Sequence, residues 1–109
     1  MPTVLRNKVF TNIGTSPVDV LSTASNVRST IIGFSLANIQ EGIVLIDVKI
    51  TDDTSTSGYY VKQLVVPPNS SLRLVNGGEK LILAPNNKIT IQANLENCLD
   101  AIISYVDIT

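Results

Sequence analysis

The sequence contains no histidine, no tryptophan and a single cysteine, and only 16% of its 109 residues are charged. Without histidine, general acid–base catalysis by imidazole, Ser–His or Cys–His nucleophiles and histidine-ligated metal sites are excluded. The net charge of −1 argues against nucleic-acid binding, which needs clustered Lys and Arg to neutralise phosphates. No apolar run approaches the roughly 20 residues of a membrane-spanning helix, and we see no leader typical of a signal peptide. We therefore expect neither a nucleic-acid partner nor a membrane partner.

The residues that are abundant favour strands and turns. Val and Ile together number 25, and Ser, Thr and Asn together number 30, whereas Ala numbers 5, Glu 3 and Gln 3. Strong helix formers other than Leu are therefore scarce, while β-branched residues are common. A weakly charged sheet protein is prone to associate through its strand edges. The composition thus predicts an all-β protein whose edges and faces are covered in an assembly.

Turn signals recur every eight to fifteen residues and divide the chain into short segments. We predict strands over residues 4–13, 18–21, 29–37, 43–51, 59–66, 71–75, 80–83, 88–94 and 101–108. The segment 43–51 alternates most regularly, with Val44, Ile46, Val48 and Ile50 on one face. In the segment 29–37, we expect Ile32, Phe34 and Leu36 on one face and Ile31, Gly33 and Ser35 on the other. The prediction is a single domain over residues 1–109, an antiparallel β-sandwich with eight or nine short strands, for which a jelly roll is one candidate form.

No motif indicates a catalytic centre. The acidic loop 52–58 has adjacent carboxylates rather than the alternating oxygen ligands of a calcium loop, so we interpret it as a solvated hairpin tip, with a weak cation site as the alternative. Asn76-Gly77-Gly78 lacks the spacing of a phosphate-binding loop and predicts a hairpin turn. Cys98 is expected to be a small buried side chain, since free Cys is usually buried. We therefore predict no catalytic residue, no cofactor, no metal and no small-molecule substrate.

Three regions are candidates for a protein interface. The segment formed by Pro2, Thr3, Val4, Leu5 and Arg6 is extended and is either an arm that crosses to a neighbour or an ordinary first strand. Tyr59 and Tyr60 are adjacent in a strand, so one ring should face inward and the other outward, where Tyr favours protein contacts. Pro67 and Pro68 lie in a turn that we expect to protrude.

Three stretches of the sequence carry a family resemblance. They are TNIGTSPVDVL leading into RSTIIGFSLAN (11–21 and 28–38), YYVK leading to VPPNSSL (59–62 and 66–72), and GGEKLIL leading to SYVDI (77–83 and 104–108). This succession resembles small β-sandwich virion proteins of tailed bacteriophages, including phages that infect marine and freshwater cyanobacteria. The resemblance covers nearly the whole chain, but its motifs are strand and turn patterns rather than catalytic signatures.

The resemblance implies a non-enzymatic structural protein of the virion, made in the host cytoplasm. The first hypothesis is a capsid decoration or cement subunit that binds the major capsid protein and copies of itself, as a trimer or hexamer. The alternative is a structural component of the neck, tail, baseplate or fibre. From a different class, a glycan-binding β-sandwich module stays open, although carbohydrate-binding sandwiches usually display more aromatic side chains than this sequence offers.

Overall fold

Nine strands and no helix make up the computed structural model, which describes residues 3–75 and 80–109. The strands are Thr3–Ile13 (β1), Val18–Ser22 (β2), Arg28–Asn38 (β3), Val44–Thr51 (β4), Ser57–Val66 (β5), Ser71–Val75 (β6), Leu81–Leu83 (β7), Lys88–Ala93 (β8) and Leu99–Ile108 (β9). Most bounds fall within two residues of the prediction. The loop predicted to precede the last strand is shorter than expected, because β9 begins at Leu99. The predicted turn at Asn76-Gly77-Gly78 lies outside the described residues.

The strands form two antiparallel sheets that pack face to face. The first sheet has the order β1-β9-β3-β6, and β7 also pairs with β3. Because β6 pairs with residues 34–37 of β3 and β7 with residues 29–31, the two short strands share one edge position. The second sheet has the order β2-β8-β4-β5. Early strands thus lie beside late ones, with β1 next to β9 and β2 next to β8, which is the arrangement of a double-sheet jelly roll. The predicted all-β sandwich is confirmed.

The core lies between the sheets and is built from the inward side of each alternating strand. Val44, Ile46 and Val48 of β4 are completely buried, as the alternation predicts, and Ile50 is partly buried. Burial of these aliphatic side chains, each contributing roughly 1.5–3 kcal/mol, is the main force that holds the two sheets together. The largest fully buried side chains are Phe34, Ile13, Ile31, Leu36, Ile46, Leu83, Ile89, Ile91, Leu99, Ile103, Val20 and Val44.

One predicted face assignment in β3 is wrong. Ile31 is fully buried, whereas Ile32 is 39% exposed on the opposite side, although Phe34 and Leu36 face inward as expected. The reason is a register shift between Ile31 and Gly33 in the pairing of β3 with β9. An extra residue at a β-bulge reverses the in-and-out alternation on one side of it. Strict alternation therefore fails at this position.

Candidate functional site

The outer face of the second sheet, here called the polar face, carries paired charges. Lys88 Nζ lies 3.9 Å from Asp19 Oδ2, and Lys62 Nζ lies 3.9 Å from Asp47 Oδ2. The Thr90 hydroxyl also donates to Asp19 Oδ1 at 2.9 Å. Asp19, Asp47, Lys88 and Thr90 line an open depression of about 250 Å³, which is smaller and more polar than a typical ligand pocket. The polar face therefore has the chemistry of a solvated surface.

Tyr59 and Tyr60 point in opposite directions, as predicted. Tyr59 is 49% exposed on the polar face, and the ammonium groups of Lys62 and Lys49 lie 4.3 and 5.3 Å from its ring centroid. Cation–π contacts of this kind hold the ring between two long side chains. Tyr60 packs against the core, and its hydroxyl donates to the Leu74 carbonyl at 3.4 Å.

The outer face of the first sheet, here called the apolar face, differs sharply from the polar face. Leu5 is 76% exposed, Ile82 67%, Val9 61% and Ile102 46%. Opposite residues in an antiparallel ladder share a face, so the registers arrange this surface in rows across the strands. The rows are Thr3–Ile108–Arg28, then Leu5–Val106–Thr30–Ile82, then Asn7–Ser104–Gly33, then Val9–Ile102–Ser35–Arg73, and finally Asp100–Ala37–Ser71.

Charge on the apolar face is confined to its margins. Among the described residues of these rows, Arg28 stands at one end, Asp100 at the other, and Arg73 at the outer edge. The Leu5 row is aliphatic except at Thr30, and the Val9 row is aliphatic at Val9 and Ile102 and polar toward its outer edge. Contiguous apolar surface rimmed by polar groups is typical of an interaction site. This face is the strongest candidate functional surface in the described part of the chain.

The first strand forms an edge of the first sheet and is exposed on both sides over most of its length. Within the described residues β1 pairs only with β9, and Ile13 is its one buried residue. The inward side is uncovered at Arg6, whose Nε lies 3.0 Å from Asp107 Oδ2. Thr3 to Arg6 are paired in register with Ile108 to Tyr105, so this segment is a first strand of its own chain rather than a detached arm. Pro2 lies outside the described residues.

The predicted interface residues do not come together in one site. Thr3 to Arg6 lie on β1, at one edge of the sandwich, whereas Tyr59 lies on β5, at the opposite edge of the facing sheet. Pro67 and Pro68 are exposed in the turn between β5 and β6. That turn is tied down by hydrogen bonds from Ser70 Oγ to the Pro68 carbonyl at 3.0 Å and from Asn38 Nδ2 to the Pro67 carbonyl at 3.1 Å.

The acidic loop holds its first carboxylate with its own hydrogen-bond donors. Asp52 Oδ1 accepts from the Thr54 hydroxyl at 2.7 Å, the Thr54 amide at 2.9 Å and the Thr56 amide at 3.1 Å. The Thr54 hydroxyl contributes most to holding the pKa of Asp52 below its ordinary value, and the two amides add to the effect. The carboxylate thus closes the loop as an Asx turn.

Cys98 and Asn38 are structural rather than chemical. Cys98 is fully buried, as predicted, and burial raises the pKa of its thiol, which donates to the Leu95 carbonyl at 3.1 Å. Asn38 was not anticipated from the sequence. It is 2% exposed and links the end of β3 to the turn before β4, to the last residue of β5 and to the turn after β5.

Two searches for specific kinds of site are negative in residues 3–75 and 80–109. No cluster of three or more Cys, Asp or Glu side chains there is arranged to hold a metal ion. No helix in the same residues is long and apolar enough to cross a membrane.

The fold defines a jelly-roll protein, an architecture found in viral capsid and lectin domains. No protein-family model matches the sequence, and comparison with curated proteins finds no relative either. Solved structures do match. A subunit of the disulfide-linked pili that form Bacillus endospore appendages aligns with a TM-score of 0.58 and 11% identity, over 98% of this chain and 88% of that one.

Two viral proteins are similar at the same level. A chain from the capsid of Helicobacter pylori bacteriophage KHP30 aligns with a TM-score of 0.56 and 11% identity, over 97% of this chain and 87% of that one. A chain of the T13 IBDV particle aligns with a TM-score of 0.55 and 9% identity. The alignment covers 96% of this chain but only 30% of the viral chain. At these identities the comparisons establish the fold.

Proposed function

We propose that the chain is a non-enzymatic structural subunit of a tailed-phage virion, a decoration or cement protein that binds the major capsid protein and copies of itself. The observation that carries this proposal is the contrast between the two outer faces. One face has internally paired charges, and the other exposes aliphatic rows with charge only at the margins. A surface of the second kind is covered in a protein's working state.

The fold supports this proposal without deciding it. Jelly rolls serve unrelated functions, so the surface has to carry the functional argument. Capsid and pilus subunits are among the structures that this chain resembles, and both kinds of protein work by packing against neighbours. The sequence resemblance to small virion proteins of tailed phages points in the same direction.

The contact with the major capsid protein is proposed at the edges and end turns of the sandwich. Thr3 to Arg6 offer an exposed edge strand, and Pro67 and Pro68 offer a turn that hydrogen bonds hold in place. Tyr59 adds a half-exposed ring. Tyr59, Pro67 and Pro68 lie off the apolar face, so the self-contacts of a trimer or hexamer leave them available. In β1, Leu5 belongs to the apolar face, whereas the unpaired strand edge and Arg6, on the inward side, stay available for the capsid protein.

Copy number in purified particles tests the proposal. Quantitative mass spectrometry would compare this chain with the major capsid protein of the virus that encodes it. A ratio near that of the shell subunits is expected, because only the shell offers so many equivalent positions. A ratio equivalent to a few rings would replace decoration by a neck, tail or baseplate role. Absence from the particle, together with saturable binding to host glycans, would overturn the structural role.

A further inference from the structure

The apolar face is large enough to form a stable contact by itself. Four strand positions about 4.8 Å apart and ten residues of about 3.3 Å rise give a surface of roughly 19 by 33 Å. A pair of such faces buries about 1,250 Å² in total, which exceeds the ~1,000 Å² expected of a specific interface. The middle strand, β9, agrees with this inference. It carries Ile102 and Val106 on the outer side and Ile103 and Tyr105 on the inner side, a pattern typical of strands buried on both faces.

We propose that the apolar face packs against the same face of a second copy of this chain, related by a two-fold axis that crosses the strands over Ser104. This inference deepens the proposed function and rests on it only for its setting in a virion. The row Asn7–Ser104–Gly33 lies midway between the two aliphatic rows, so the axis passes over its small side chains. The axis then places the Leu5 row of each copy on the Val9 row of the other.

The charges at the margins select this orientation. Turning one copy end over end brings Arg28 of each chain to the end that carries Asp100 of the other. A two-fold axis parallel to the strands would instead bring the two Arg28 side chains to the same end, and the two Asp100 side chains likewise. Like charges placed together in an interface are costly. The crossing axis is therefore the favoured one.

A second copy fits this face better than a partner of different chemistry. Ser104 and Asn7 lie in the row on the axis and can each donate and accept hydrogen bonds, so they can pair with their own symmetry mates, and Thr30 faces the hydroxyl of Ser35 in the other copy. The one charge in the three central rows is Arg73 at the outer edge, which the crossing axis places beside Ile82 of the other copy and away from the other copy's Arg73, so no like charges meet there. An isologous contact of this kind also pairs the trimers of a hexamer, in which two-fold axes relate two rings of three.

A cysteine on the axis tests the geometry directly. Ser104→Cys places two thiols across the two-fold axis. The roughly 10 Å spacing of packed sheets leaves their Cα atoms too far apart for a direct disulfide but within reach of a short bismaleimide cross-linker. Thr90→Cys places a thiol in the middle of the polar face as a matched control. With a short bismaleimide cross-linker, Ser104→Cys should give a cross-linked dimer on a denaturing gel, and Thr90→Cys should not. The native Cys98 is buried and present in both variants. Equal cross-linking in both variants, or none in Ser104→Cys, would overturn the pairing.

Charge substitutions test the orientation. Ile102→Lys should halve the oligomer mass measured by light scattering, whereas Val65→Lys, at a half-exposed position of the polar face, should leave the mass unchanged. Thermal unfolding of each variant checks that it folds. Because Ile102 faces Val106 of the second copy in this arrangement, mixing Ile102→Lys with Val106→Asp should restore the full mass.

The outcomes separate this inference from the proposed function. If Ile102→Lys keeps the parent mass, or if the mixture fails to recover it, the two-fold pairing is wrong. A monomeric chain found in particles at the copy number of the capsid protein would overturn the pairing while leaving decoration intact. A two-fold dimer that is absent from particles would overturn the decoration role while leaving the pairing intact.

Discussion

Replacing Asn38 by Ala should destabilise the fold more than replacing any other Asn or Gln side chain in residues 3–75 and 80–109. The Asn38 amide group donates to the carbonyls of Gly42, Val66 and Pro67 at 2.9, 3.0 and 3.1 Å, and its oxygen accepts from the Gln40 amide at 2.8 Å. Two N–H groups and one oxygen are lost, each worth about 1 kcal/mol net. The free energy of unfolding should therefore fall by about 3 kcal/mol, which corresponds to roughly 15 °C in melting temperature for a domain of this size.

The matched control is Asn94→Ala. Asn94 is exposed and accepts a single hydrogen bond, from the Leu45 amide at 2.9 Å, so its loss should cost about 1 kcal/mol. Asn38→Asp adds a second comparison, since it keeps the acceptor for Gln40 but turns an oxygen toward carbonyls. Urea unfolding followed by circular dichroism measures all three variants. A loss for Asn38→Ala no greater than that for Asn94→Ala would refute the role assigned to the buried amide.

Three further predictions concern the thiol, the acid range and the edge strand. Cys98 should resist thiol reagents in the folded chain, because burial raises its pKa, and rapid stoichiometric labelling would contradict this. The hydroxyl and amide of Thr15 lower the pKa of Glu96 from 4.5, so this contribution to stability is present above pH 4.5 and is lost as the pH falls through the lowered value. In Glu96→Gln, the free energy of unfolding should therefore fall less steeply as the pH drops from 4.5 through the lowered pKa. An unchanged dependence of the free energy of unfolding on pH would show that Glu96 does not contribute to stability in this way. Deleting residues 2–6 removes Leu5 from the apolar face and should lower the oligomer mass measured by light scattering, and an unchanged mass would count against a role for β1 in assembly.

The strands were predictable because turn residues and alternation are local signals. The pairing of β1 with β9 and of β2 with β8 joins residues 66 to 105 positions apart, and no local pattern encodes such partners. The bulge at Ile31 and Ile32 escaped prediction for a related reason. An extra residue in β3 is defined only against its partner β9, so two adjacent isoleucines fit either face equally well from sequence alone.

The sequence contained one indication of the apolar face, but the search for strands with one apolar and one polar side overlooked it. The segment AIISYVDI of β9 is apolar on both sides, which indicates a strand covered on both faces. Leu5 and Val9 can be assigned to the apolar face only once the register of β1 with β9 is known, because it places them beside Val106 and Ile102. The role of Asn38 is harder still to predict from sequence. An asparagine near a turn resembles an ordinary solvated turn residue until the structure shows three carbonyls around its amide group.

Hydroxyl-radical footprinting at low and high protein concentration tests the central claim, that the apolar face is buried on assembly, most directly. Leu5 and Ile82 are exposed on the apolar face, and Tyr59 and Val65 are exposed on the polar face. The account predicts that oxidation of Leu5 and Ile82 falls as the protein assembles, while oxidation of Tyr59 and Val65 stays constant. Protection of Tyr59 and Val65 with continued oxidation of Leu5 and Ile82 would contradict it.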